Sequence, residues 1–314
     1  MAEPAMSRRR PTWPQLPESL RAAVQQRIGA VIQWRSHDHG YSPGPALTLT
    51  TDHDEVFLKA AFLAGNPHTV ALHRREAEIA AVLPAGTPTP SLRWSNEVAG
   101  WVVLVFDAHP GSVPPLPWRS EALDAVAHLT ARLAEITAPD SLDRLVERAR
   151  YEGLRRLAGE PHPGLETFDP WLAGNLDALA SIEGTWTTHC DGDRLLHHDL
   201  RRDNVLLDES NAVAIDWPHA VAGAGFTDLV GWLPSLHLEG GPAPEEMLRR
   251  HPLGRAAAPE AVTSFIAAIA GYFVRSSLQP PPPGIPHLRG FQRAQGEVCI
   301  AWLRERLGDR VGEN

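Results

Sequence analysis

The segment HHDLRRDNVLLDESNAVAIDW, residues 197–217, places Asp199, Asn204 and Asp216 at spacings that suit one chemistry. A carboxylate can orient a hydroxyl and take its proton, while an amide and a second carboxylate hold the magnesium that neutralises nucleotide phosphates. Asp199 is the expected base, and Asn204 and Asp216 the expected Mg²⁺ ligands, with His197 packed beneath the loop as structural support. Taken singly, each residue has a plainer reading. Asp and Asn are common turn residues, and an Asp before Trp-Pro is usually a cap. The spacing of the set points to phosphoryl transfer from a nucleotide.

A second feature lies far upstream. Of 29 Lys+Arg residues one alone is lysine, Lys59, in the strand-like run EVFLKAAF. A strand lysine held by a carboxylate of the next helix positions positive charge at the donor phosphates. Glu76 and Glu78, in RREAEIAAVL, both qualify as its partner, and Glu76 is preferred. By itself such a lysine would be read as a solvated edge-strand residue.

Apolar spacing near 3.6 predicts a helix over 17–32, followed by three strand-like pieces broken by turn residues at 38–45 and 51–54. A second helix is expected over 69–83, stopped by PAGTPTP, and then the strands SLRWSN and GWVVLVF. The first hundred residues thus read as a five-stranded sheet with a helix packed on it. DAHPGSVPPLPW (107–118) is a Pro/Gly linker, so the expected division is 1–107, a nucleotide-binding lobe with a leading helix, and 108–314, a helical lobe with the catalytic loop and acceptor site. Helices are expected at 120–136, 140–158, 167–182, 227–238, 245–251, 259–277 and 287–307, with short strands within 194–217. The fold class is α+β.

The formal net charge of −9 argues against nucleic acid, whose phosphates require clustered Lys and Arg, and favours a cationic small molecule. Two cysteines, Cys190 and Cys299, are too few for a disulfide framework. The greasiest stretch, 261–274, is too short to span a bilayer and reads as a buried helix, and MAEPAMSRRRPTW has no apolar signal region; a cytoplasmic protein with no membrane partner is expected. The cluster His189, Cys190, Asp191, Asp193, His197 and His198 fits no standard zinc spacing. The tryptophans, Trp217, Trp232 and Trp302 among them, are expected mostly in the core.

The set GYSPGPALTL, VFLKAAF, RREAEIAAVL, WVVLVF, LLHHDLRRDNVLL, VAIDW and GFTDLVGWLPSL resembles the aminoglycoside phosphotransferase family of the protein-kinase-like superfamily, from about residue 30 to the C-terminal region. It is especially similar to divergent members from high-GC actinobacteria. The resemblance implies a bilobal protein-kinase-like fold, with a small five-stranded antiparallel N-lobe and a larger, mostly helical C-lobe. It implies ATP or GTP as donor, two Mg²⁺ ions and Asp199 as base, with backbone at Phe106, Asp107, Ala108 and His109 offered to the adenine. Ser42 in the GYSPGPAL loop joins the nucleotide-binding set, and Asp228 matches an aspartate that braces the catalytic loop. The sequence departs from the protein-kinase pattern in three ways. The loop lacks G-x-G-x-x-G and carries Pro43 and Pro45, which remove two N–H donors; His198 stands where the family has a small residue; no A-P-E follows Asp216.

The reading is therefore a phosphotransferase acting on a hydroxyl of a small molecule, with antibiotic resistance as one role. The acceptor stays open between a cationic antibiotic and a metabolite such as an amino sugar, hexose, choline-like or homoserine-like compound. Glu239, Glu245 and Glu246 are possible contacts for an amine, although a solvated helix start is the plainer reading. A nucleotide-binding pseudokinase is the rival from another class, supported by the proline-bearing loop. A plain helical binding domain would require every match to be coincidence.

Overall fold

The computed structural model describes residues 10–37, 44–160, 162–209, 211–282 and 286–311. The chain forms two compact units, Met1–Val113 with Asp203–His219, and Pro114–Arg202 with Ala220–Asn314. This differs from a single cut at 107/108, because the linker up to Val113 and the hairpin after Asn204 both stay with the first unit. Main-chain pairing is the cause. Ser112 and Leu207 exchange N–H···O bonds of 2.9 and 2.8 Å, and the Ala214 N–H donates to the Pro88 carbonyl at 2.8 Å.

In the first unit, β1 (Val31–Ser36), β2 (Ala46–Thr51), β3 (Glu55–Phe62), β4 (Leu92–Val98) and β5 (Trp101–Asp107) form one antiparallel sheet in the order β1-β2-β3-β5-β4. Helix α1 (Glu18–Ile28) packs Leu20 and Val24 against Leu47, Leu49, Val56, Leu58 and Ala60. It ends earlier than the spacing predicts because Gly29 takes φ +97° and the chain turns into β1. Helix α2 (Pro67–Val82) covers a second cluster, with Val70 and Ala77 against Phe57, Ala61, Leu104 and Phe106. Asn66 caps α2, accepting from the His68 and Thr69 amides. The hairpin β7 (Val205–Asp208) and β8 (Asn211–Ala214) completes this unit.

The second unit is helical. Its elements are α3 (Ser120–Glu135), α4 (Leu145–Arg148), α5 (Gly153–Gly159), α6 (Leu165–Phe168), α7 (Pro170–Gly174), α8 (Leu176–Glu183), α9 (Trp186–Cys190), α10 (Thr227–Leu238), α11 (Pro244–Arg250), α12 (Pro252–Ala256), α13 (Pro259–Ser277) and α14 (Leu288–Leu307). A two-stranded piece, β6 (Arg194–Leu196) with β9 (Val221–Gly223), lies among them. Two predicted helices are broken. The 140–158 pattern yields α4 and α5, because the buried Glu183 carboxylate accepts from the Leu154 and Arg155 amides and fixes a fresh helix start. The 167–182 pattern breaks where Asp169 caps Pro170, accepting from the Leu172 amide. The greasy 261–274 stretch is buried within α13, and no helix among the described residues is long and apolar enough to cross a membrane.

Two glycines let α5 reach α13. A Cβ on Gly153 would lie 2.0 Å from the Gly271 carbonyl oxygen, and one on Gly271 would lie 2.2 Å from Glu183 Oε1. Gly271→Ala should therefore cost about 2–3 kcal/mol through overpacking. Gly231→Ala, at an exposed position of the largely buried α10 where nothing lies within 4 Å of an added Cβ, should be neutral or slightly stabilising. Urea midpoints followed by circular dichroism check the contrast; equal midpoints would remove the steric argument.

Candidate active site

Strand alternation decides where Lys59 points. Val56, Leu58 and Ala60 face the α1 side of the sheet, so Phe57, Lys59 and Ala61 face the α2 side. On α2 the residues Val70, His73, Glu76 and Ile79 form a buried stripe at i, i+3 spacing, which carries Glu76 toward the sheet. Glu78 lies off that stripe and is exposed. Lys59 Nζ contacts Glu76 Oε2 and sits 2.8 Å from Asp216 Oδ1. The lysine side chain is 14% exposed and the glutamate 3%. The second glutamate oxygen accepts from the Trp217 amide at 3.4 Å, so one carboxylate ties β3 to the segment after β8.

Burial pushes the Lys59 pKa down, but the Asp216 and Glu76 carboxylates outweigh it and hold the ammonium charged above its ordinary range. Burial drives the Glu76 carboxyl up to about 7, opposed by the ammonium in contact with it. His73, on the same stripe, is pushed down to about 4 by burial and then by the Lys59 charge, while its Nδ1 lies 3.0 Å from the Thr69 carbonyl.

Asp216 adopts φ +68°, a left-handed conformation that an aspartate tolerates better than most residues. The Ile215 amide donates to the Asn204 carbonyl at 2.9 Å, so Asn204 and the residue preceding Asp216 are main-chain neighbours. The Trp217 indole donates to Thr89 Oγ1 at 3.0 Å and to the Ala214 carbonyl at 3.1 Å, and Arg75 Nε donates to the Pro218 carbonyl at 3.0 Å. These contacts lock the hairpin exit against α2 and the loop before β4. Sequence reasoning did not assign Trp217, Thr89 or Arg75 any part in holding the site. The tryptophan following the metal-type aspartate was the visible signal. Among the described residues no group of three or more His, Cys, Asp or Glu side chains is placed to hold a metal ion. The donors at hand, one carboxylate and one amide, are all-oxygen and few. That fits Mg²⁺, which usually takes one or two carboxylates and completes its shell with phosphate oxygens and water.

In the second unit the loop bearing Asp199 is held by a buried carboxylate. Asp228, in the first turn of α10, accepts from the His197 amide at 2.7 Å and the His198 amide at 2.9 Å. Burial raises its pKa, opposed by His197. His197 is fully buried and its Nδ1 accepts from the Asp199 amide at 3.3 Å. His198 has φ +62°, which accounts for a small residue being usual there, and its Nε2 lies 2.9 Å from the Tyr151 hydroxyl. The Asp199 side chain is 35% exposed, 3.7 Å from Arg201 Nε.

The main chain of the turn after β5 is partly engaged. The Asp107 amide donates to the Ser91 carbonyl at 2.9 Å and the Ala108 amide to the Glu55 carbonyl at 3.4 Å. His109 Nδ1 accepts from the Gly111 amide at 3.0 Å, and the Phe106 ring lies 5.8 Å from Lys59 Nζ. Ser42 and Pro43 lie outside the described residues.

An antiparallel five-stranded sheet carrying a Lys–Glu pair, followed by a helical unit with a braced aspartate loop, is the protein-kinase-like fold. The family model described as "Phosphotransferase enzyme family" matches residues 33–264, and the chain belongs to that family. No curated protein matches the sequence. Among solved structures, the chain is similar to a thermostable mutant of an aminoglycoside phosphotransferase in ternary complex with AMP-PNP and hygromycin B. The TM-score is 0.62 at 16% identity, covering 93% of this chain and 100% of that one. It is similar to choline kinase from Streptococcus pneumoniae at TM-score 0.58 and 12% identity, covering 90% and 99%. A spectinomycin phosphotransferase in complex with ADP and spectinomycin matches at 0.55 and 13%, covering 93% and 100%.

His73 gives a pH test of this packing. Its pKa is about 4 in the fold against about 6.5 unfolded, so the unfolded chain binds more protons between those values. The stability it contributes is complete above pH 6.5 and lost as pH falls toward 4. Urea midpoints at pH 7 and pH 4.5 should show His73→Gln losing less stability across this range than the parent, by on the order of 2–3 kcal/mol. Parallel losses would exclude burial of a neutral imidazole.

Proposed function

We propose that the protein is an ATP-dependent kinase that transfers the γ-phosphoryl group to a hydroxyl of a small molecule. The observation that carries this reading is the buried Lys59 ammonium held between Glu76 and Asp216. Lys59 pairs the α- and β-phosphates, and Glu76 fixes its position. Solved relatives holding AMP-PNP and ADP support an adenine-nucleotide donor. Phe106, Asp107, Ala108 and His109 form the adenine turn; with the Asp107 and Ala108 amides already bonded, the His109 N–H is its open donor.

Asn204 and Asp216 would hold Mg²⁺, which would supply neutralising charge to the nucleotide phosphates. Asp199 accepts a hydrogen bond from the acceptor hydroxyl. As the new O–P bond forms and the bond from Pγ to the β,γ-bridging oxygen breaks, the electron pair leaves with ADP. The hydroxyl proton passes late to the Asp199 carboxylate. Asp228 and His197 keep that carboxylate in place through the loop amides. The free, buried thiols of Cys190 and Cys299 support a reducing compartment, the cytoplasm.

A nucleotide-consumption screen against diverse alcohols, with ATP and Mg²⁺, tests the activity. Asp199→Asn should lower turnover at least about 100-fold and leave ATP affinity within about twofold. Asp216→Asn should weaken both. Turnover retained by Asp199→Asn would remove the base from the mechanism.

A further inference from the structure

The close approach of α5 to α13 has a second effect besides packing. It sets Arg150, Glu152 and Arg156 beside Tyr272, Arg275 and Ser276, which together with Gly153 line a cavity of about 530 Å³. That size lies within the range of about 300–1,000 Å³ typical of small-ligand pockets. Its floor is built rather than incidental. Gly153 abuts the Gly271 carbonyl, and the Glu183 carboxylate, fully buried, bonds the amides of Leu154 and Arg155 beneath it.

The charge of this cavity is opposite to that of the chain. Three guanidiniums face one carboxylate, and that carboxylate is engaged by Arg156, whose Nε lies 2.8 Å from Glu152 Oε1. Arg150 and Arg275 make no direct hydrogen bond or ion pair among the described residues, although the Arg150 charge acts on Glu152 at longer range; Arg144, Arg148 and Arg304 elsewhere in the unit each meet an aspartate directly. Arg150 and Arg275 are exposed at the cavity, so their guanidinium donors are open to an anionic group.

One residue of the cavity wall, Tyr272, is joined through packed side chains to the loop that carries the proposed base. The Tyr272 ring stands edge-on to Tyr151, centroids 5.9 Å apart, and the Tyr151 hydroxyl meets His198 Nε2 at 2.9 Å. His198 immediately precedes Asp199. We propose that this cavity is the recognition subsite for an anionic group, a carboxylate or phosphate, on the acceptor alcohol. The substrate class is then a hydroxy acid or a phosphorylated alcohol. The planar guanidinium fork suits either group bidentately, and the Tyr272 and Ser276 hydroxyls add donors. A polyamine antibiotic would set ammonium groups against unpaired arginines. This inference rests on the kinase reading, and its test separates the two.

Calorimetric titration with gluconate, glycerate and glucose 6-phosphate, against glucose and glycerol, measures the subsite without turnover. The protein should bind at least one anion tenfold more tightly than its neutral counterpart. The exposed double substitution Arg150→Ala/Arg275→Ala should erase that preference, and Arg150→Lys/Arg275→Lys should keep part of it. An unchanged preference in the alanine variant, or none in the parent, overturns the proposal. So does inorganic phosphate binding the cavity as tightly as the best probe, which would mark a free-phosphate site. With ATP and Mg²⁺, the alanine variant should raise KM for an anionic acceptor at least tenfold with kcat little changed. Turnover confined to neutral or cationic alcohols sinks the anion subsite and leaves the kinase; arginine-dependent anion binding without transfer to any acceptor sinks the kinase reading and with it the acceptor role.

Discussion

A buried ammonium between two carboxylates is the constraint from which the first unit takes its form. Removing Lys59 from water is costly, and the Coulombic return is adequate only with both partners in contact. Glu76 is more deeply buried still, and breaking such a pair leaves a charge without compensation, worth about 3–5 kcal/mol. The arrangement therefore fixes several elements at once. Strand β3 must present residue 59 to the α2 side, α2 must turn its 70–73–76–79 stripe inward, and the chain after β8 must deliver Asp216. Lysine suits this place better than arginine, the residue used everywhere else for positive charge. A compact ammonium with three rotatable donors reaches both carboxylates from this buried strand position.

The same constraint explains why the hairpin at 205–214 belongs with the sheet rather than with the helices that precede and follow it in sequence. Asp216 accepts a left-handed backbone, and the Trp217 amide and indole, the Pro218 carbonyl and the Ala214 amide each find partners on α2 or the loop before β4. In the second unit a buried carboxylate does the equivalent work for Asp199: Asp228 takes two consecutive amides and so stabilises the unfavourable φ of His198. Non-glycine residues in the left-handed region occur at both chemical segments, each backed by a network of main-chain bonds.

Much of this was legible in sequence because it obeys local periodicity. The five strands, α1, α2 and the greasy α13 follow from period two and period 3.6, and the preference for Glu76 over Glu78 follows from its place on the buried stripe. The spacing of Asp199, Asn204 and Asp216 pointed to two segments whose backbones the structure holds with networks of hydrogen bonds, and Asp216 meets Lys59. What escaped is non-local. The break between α4 and α5 depends on Glu183, some thirty residues downstream, and on a glycine pair more than a hundred residues apart; no window of sequence contains both. The hairpin's membership of the first unit likewise depends on Ser112 and Ala214 pairing across long separations. The engaged amides of Asp107 and Ala108 are invisible to any motif.

Overall charge and local charge lead to opposite expectations for the acceptor, and they act over different distances. A net charge of −9 spread over a surface is screened within roughly 8–10 Å in physiological salt, so it biases diffusion more than recognition. Two unpaired guanidiniums lining one cavity act at hydrogen-bond range, where screening is least effective and geometry discriminates. Structures similar to this chain include an aminoglycoside phosphotransferase, a spectinomycin phosphotransferase and a choline kinase, so the fold itself carries no acceptor preference. The preference has to reside in side chains that vary on a shared helical frame. Here the frame is fixed by the contact of Gly153 with Gly271, and what it holds together at its rim is arginine.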